Sequence, residues 1–129
     1  MANQVTFSAT FPSELSDELV ASLHNWHRGN LGQEAIVEPV PGGVPIIKWV
    51  GSNGEGRSHV GIIRLATASH TAQRTAIEEW EALKDCTGEV EVELNGWNPT
   101  FSRMTLRGIT PPTPLDKDVT IMTVQFLES

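Results

Sequence analysis

Four histidines, one cysteine and a glycine-rich run are the residues with chemistry to offer. His24 and His27 lie three apart, a spacing at which two imidazoles on one helix face can share a metal ion if further ligands converge. Those ligands would have to be His59, His70 or a carboxylate, and nothing in the local sequence assembles them. The pair therefore reads as surface and boundary residues flanking Trp26. Ser58-His59 and Ser69-His70 offer hydroxyl and imidazole for a Ser-His-Asp hydrolase, but a triad is a geometry, and the chain has no G-x-S-x-G elbow. Cys86 is the single cysteine, which excludes an internal disulfide and a cysteine cluster for metal within one chain. Its neighbours Asp85 and Glu89 are the wrong sign to favour a thiolate, so Cys86 reads as a small structural residue.

The run GSNGEGR at 51–57 invites comparison with phosphate-cradling loops, where successive backbone amides bind an anion. It lacks the Lys-Ser/Thr ending, carries Glu55 inside it and leads into a strand pattern instead of a helix. A hairpin tip is the reading, since Asn53-Gly54 supplies the positive φ of a tight turn. No catalytic, cofactor-binding or metal-binding residue is assigned, and no cofactor or small-molecule partner is expected. The chain is read as non-enzymatic.

The elements that would position these groups follow from pattern. At 129 residues, 39% hydrophobic and 19% charged, the chain is expected to form one α+β domain over 1–129. Sixteen acidic against nine basic residues give a net charge of −7, which repels phosphate backbones and anionic lipid and argues against nucleic acid and membrane as partners. The apolar run at 60–68 is broken by Arg64 and is far below the roughly 20 residues of a membrane span. The start MANQVTFSATF has no signal-peptide pattern, so folding in a cytosol is expected.

Alternation predicts a strand at 5–11, ended by Pro12. Ser13 or Ser16 then caps a predicted helix at about 13–28, with Leu15, Leu19, Leu23 and Trp26 on one stripe. Residues 35–40 and 46–50 read as two short strands within a Pro/Gly-rich arm or hairpin at about 37–57. Residues 60–67 form a strand. A second helix at about 69–84, capped by Ser69, carries Ala72, Ala76, Ile77, Trp80 and Leu83 inward. Its offsets match those of the first, the pattern that two strand-helix-strand-strand units would give. The strict alternation EVEVEL at 89–94 sends Val90, Val92 and Leu94 to the core. Asn95-Gly96 turns the chain. A strand at 101–109 has Phe101, Arg103, Thr105 and Arg107 on one face, a Pro-rich loop follows at 111–114, and a strand at 119–127 closes the chain. The expected architecture is a mainly antiparallel sheet or partly closed barrel of about six to seven strands packed by two helices. Of the tryptophans, Trp26 and Trp80 belong to the core, and Trp49 and Trp97 cap it or anchor an interface.

The order IIRLAT, a helix ending EEWEALKDCTG, EVEVELNGW, TFSRMTLRGI and VTIMTVQFLES in the second half of the chain, from Val60 to Leu127, resembles small tail-associated structural proteins of tailed bacteriophages. That resemblance implies a sheet flanked by a helix that builds rings or tubes, with loops bridging subunits. It implies a virion component of the tail or head-tail junction, assembled in the host cytoplasm, whose partners are copies of itself and neighbouring virion proteins. Two other readings of the residues are a ferredoxin-like enzyme or ligand-binding domain that gathers the histidines into one pocket, and a cellular adaptor.

Overall fold

Val5, Phe7 and Ala9 alternate with Thr6, Ser8 and Thr10, and this period of two sets β1, Gln4–Phe11, with its apolar face fully buried. The structure is a computed structural model and describes residues 3–31, 33–38, 40, 43–51, 56–66, 69–110 and 119–128. Strand β1 pairs antiparallel with β2, Asp17–Leu31, placing Phe7 opposite Leu19. On its other edge β1 pairs with β6, Thr87–Glu93, placing Phe7 opposite Val90. With β5 (Arg57–Ala66), β7 (Thr100–Thr110) and β8 (Val119–Glu128), these strands form a closed six-stranded barrel in the order β1-β2-β5-β8-β7-β6. Closure leaves none of the six with an unpaired edge. Strands β3 (Glu34–Glu38) and β4 (Ile46–Val50) form a separate two-stranded hairpin between β2 and β5.

A mainly antiparallel sheet or partly closed barrel was expected and the barrel is fully closed, but the two expected helices were not both found. Residues 13–28 hold a single 3-10 turn, Ser13–Leu15, and then the strand β2. The reason lies in the offsets. Steps of four from Leu15 to Leu19 to Leu23 keep one face of a helix, but being even they also keep one face of a strand. Leu19, Ala21 and Leu23 are all buried on that strand face, while Leu15 is 47% exposed. The odd step to Trp26 is absorbed by a β-bulge between Leu23 and Asn25, which returns Trp26 to the interior. With one helix gone, the two halves of the chain do not share a strand-helix-strand-strand plan.

The other helix is α1, His70–Ala82, and the Ser69 Oγ accepts the Ala72 N–H at 3.2 Å. Its buried face is Gln73, Ile77 and Trp80, continued by Leu83. Ala72, expected inward, is exposed, and Ala76 is half-buried against the core. The three large side chains Ile77, Trp80 and Leu83 orient the helix, because they remove far more apolar area from water than two alanines. The Trp80 ring stacks on Phe7 at 6.4 Å, so the helix packs its aromatic residue on the barrel interior.

Val90 and Val92 are buried as the alternation required, and Leu94 packs half-buried beside them. Asn95 and Gly96 both take positive φ, 50° and 86°, between the paired Leu94 and Trp97. Phe101 is on the interior with Met104 and Leu106 instead of on the face of Arg103, because an irregularity opposite Gly88 and Val90 shifts the β7 register by one residue. Residues 52–55 of the glycine-rich run and the Pro-rich 111–114 lie outside the described residues. Among the described residues no helix is long and apolar enough to cross a membrane.

Candidate functional site

The end of the barrel next to the hairpin holds the most polar chemistry of the interior. The Asn25 Oδ1 accepts the Trp26 N–H at 2.8 Å and steadies the bulge that points the indole inward. There the Trp26 ring stacks on Phe101 at 6.1 Å and on Phe126 at 6.0 Å. Gly61 lies opposite, and a Cβ on it would fall 2.9 Å from the indole, so glycine is what lets the ring lie there.

His59 shares this pocket. On β5 it alternates inward with Gly61, Ile63 and Leu65, is fully buried, and packs 4.7 Å from the Phe101 ring. The Trp26 Nε1–H donates to His59 Nδ1 at 3.3 Å. An indole nitrogen is donor only, so Nδ1 is the acceptor and the ring proton sits on Nε2. That Nε2–H donates to the Glu128 Oε1 at 3.2 Å. Burial holds the His59 pKa below its ordinary value; Glu128 opposes this, and the Arg28 and Arg57 charges add to it. The neutral state that the hydrogen bonds require is thus also the charge state that burial favours.

Both ring nitrogens are engaged, so neither is left to take a proton from a substrate. Ser58, the hydroxyl neighbour in sequence, points to the opposite face of the strand from His59. His24 and His70 are exposed, His27 is half-buried on the outer side of β2 opposite Val60, and its pKa is lowered by burial. The four histidines therefore do not meet in one pocket, and no group able to hold a metal ion occurs among the described residues. Cys86 is buried. The ferredoxin-like arrangement of two helices on an open sheet is replaced by the closed barrel with one helix.

Outside the barrel, the β3–β4 hairpin turns Ala35 and Trp49 inward and Ile36, Ile46 and Val50 outward. Trp49 is half-buried against Gly29 of β2, where a Cβ would lie 2.5 Å from the indole Cζ3. A cleft of about 270 Å³ opens at the hairpin base, lined by Gln33, Glu34, Ser58, Arg107, Gln125 and Phe126 among others. Trp97 is 38% exposed at the β6–β7 turn.

The Trp26–His59–Glu128 chain was not singled out from sequence. The strand period puts His59 on one face with Gly61, Ile63 and Leu65, but Val60 and Ile62 make the other face equally apolar and buried, so alternation did not mark His59 as interior. Nothing local marks Trp26 or Glu128 as its partners, because they come from 33 and 69 residues away. Among the described residues, the buried Gln73 amide atoms, the Thr123 Oγ1 and the Arg57 Nε have no hydrogen-bond partner. No protein family matches the chain, and no curated protein matches it in sequence.

Proposed function

We propose that this protein is a non-enzymatic structural subunit of a phage virion, in the tail or at the head-tail junction, that assembles as a homo-oligomeric ring and meets neighbouring virion proteins through its loops. The observation that carries the self-association is the hairpin. Five of the nine exposed large hydrophobic residues among those described lie on it: Ile36, Val40, Val44, Ile46 and Val50. A two-stranded hairpin is marginal in water by itself, and this one makes no ladder with the barrel strands. Apolar side chains exposed between charges on its outer face, and edges that no described strand pairs, suit a partner surface.

The charges on the hairpin favour a head-to-tail contact over a two-fold one. Antiparallel pairing of β4 with its own copy about Lys48 would set lysine against lysine, and of β3 about Ile36 would set Glu34 against Glu38. Pairing β3 of one copy with β4 of the next repeats the register seen within the hairpin, where Glu38 and Lys48 form an ion pair at 3.0 Å. A heterologous contact of this kind closes into a ring when its rotation permits. The order of elements from β5 to β8, which carries the resemblance to tail-associated proteins, supports the virion assignment.

Native mass spectrometry and negative-stain electron microscopy of the pure protein, with mass spectrometry of purified particles, test the reading. Rings of defined subunit number and presence in particles are expected. A strict monomer that is missing from particles overturns it.

A further inference from the structure

Gly29 and Ser58 join the interior hydrogen-bond chain to the hairpin outside. In the β2–β5 ladder Arg28 is the partner of His59, so Gly29 and Ser58 each sit one residue from that pair. A Cβ on Gly29 would meet both the Trp49 ring at 2.5 Å and the Ser58 carbonyl oxygen at 2.8 Å. Trp49 is thus seated on backbone that is continuous with both halves of the Trp26–His59 contact. Among the described residues β3 and β4 make no backbone ladder with the barrel, and this seat is a side-chain contact that joins the hairpin to it.

We propose that the Trp26–His59–Glu128 chain is an acid-sensitive latch, in which one proton taken up by His59 releases the end of β2 and with it the seat of the β3–β4 hairpin. This inference rests on the barrel interior and holds whether or not copies assemble. The ring lone pair of neutral His59 that a proton would take is the one on Nδ1 that accepts the Trp26 N–H. A proton placed there sets two N–H donors against each other across 3.3 Å, and the hydrogen bond is lost. The new charge sits among the Trp26, Phe101 and Phe126 rings. Of the charged groups that face it, Glu128 from β8 attracts, while Arg28 from β2 and Arg57 from β5 repel; β7 presents Phe101. The imidazolium keeps its contact to Glu128 and gives up the one to Trp26, so the change is directed towards β2. His27, half-buried on the outer side of the same stretch, lies on the strand face opposite Trp26.

The test follows the full-length, 15N-labelled chain from about pH 8 to about pH 5, the range in which histidines titrate. The indole N–H resonances of Trp26 and Trp49 are expected to shift with the midpoint of the His59 ring, and acrylamide quenching of tryptophan fluorescence to rise across it while far-UV circular dichroism stays constant. His59→Gln can accept from the indole and donate to Glu128 without titrating, and its quenching is expected to stay flat. Glu128→Gln removes the group that favours the imidazolium, and its transition is expected at lower pH than in the wild type, a result that can be read even if His59→Gln does not fold. The proposal is overturned if the Trp49 resonance does not move, if His59→Gln opens like the wild type, if Glu128→Gln leaves the midpoint in place, or if circular dichroism collapses at the same pH.

Discussion

His59 and Cys86 show how burial decides what a reactive group does. Both His59 and His27 have pKa values below the ordinary value of about 6.5, in each case first through desolvation. The unfolded chain therefore binds more protons than the folded one once the pH drops below about 6.5, and stability falls in that direction. It is complete above that value and declines towards the lowered folded values. Urea unfolding at pH 7.5 and pH 5.5 should show a lower midpoint in acid with an unchanged slope; a midpoint that is higher in acid would contradict the assignment of neutral buried histidines. Cys86 is 1% exposed, and burial together with Asp85 raises its thiol pKa. Reaction with a thiol-specific disulfide reagent should be negligible in native buffer and immediate in denaturant.

At the scale of elements, the helix and the barrel seam each depend on one position. Trp80, 2% exposed and stacked on Phe7, anchors α1. Trp80→Ala should cost about 3 to 5 kcal/mol in chemical denaturation. Gly88 lies where β6 crosses β1 to close the barrel, and a Cβ there would lie on the Ser8 carbonyl and within 2.7 Å of the Ala9 Cα. Both obstacles are backbone and cannot swing aside. Gly88→Ala should therefore destabilise by roughly 3 kcal/mol or more, at the upper end of overpacking effects, and the loss should appear in the thermal midpoint. The helix at 69–84 was legible because Ile77, Trp80 and Leu83 repeat in steps of three, which a regular strand would split between its two faces. The pattern at 13–28 was ambiguous because its first steps are even, and the residue that separates helix from strand, Val20, is apolar yet 56% exposed.

At the scale of the whole molecule, closure divides the chain into a barrel with all edges paired and a hairpin with none paired to it. The two parts should respond differently to charge. Replacing Ile46 and Val50, both on the outer face, with lysine should change folding stability by no more than about 0.5 kcal/mol per site, because neither is in the core. The same pair of changes should abolish ring formation in native mass spectrometry if the hairpin carries the contact between copies. A large loss of stability with rings intact would place the hairpin in the fold and not in assembly.

Local pattern determined much of this protein. The alternation at Val90 and Val92, the Asn95-Gly96 turn, the Ser69 cap and the strand character of β1, β3, β4, β5 and β8 all arise from interactions between residues near in sequence, and they appear where the residues imply. The bulges did not follow from pattern, since a bulge is set by what the partner strand offers. They alone put Trp26 and Phe101 on the interior. Barrel closure required β1 to find β6 across 76 to 89 residues, a pairing that no local signal encodes. The contact of His59 with Trp26 and Glu128 is of the same kind. Its members are ordinary residues in sequence, and only the closed barrel, by removing water and bringing β2, β5 and β8 together, makes them one hydrogen-bonded unit.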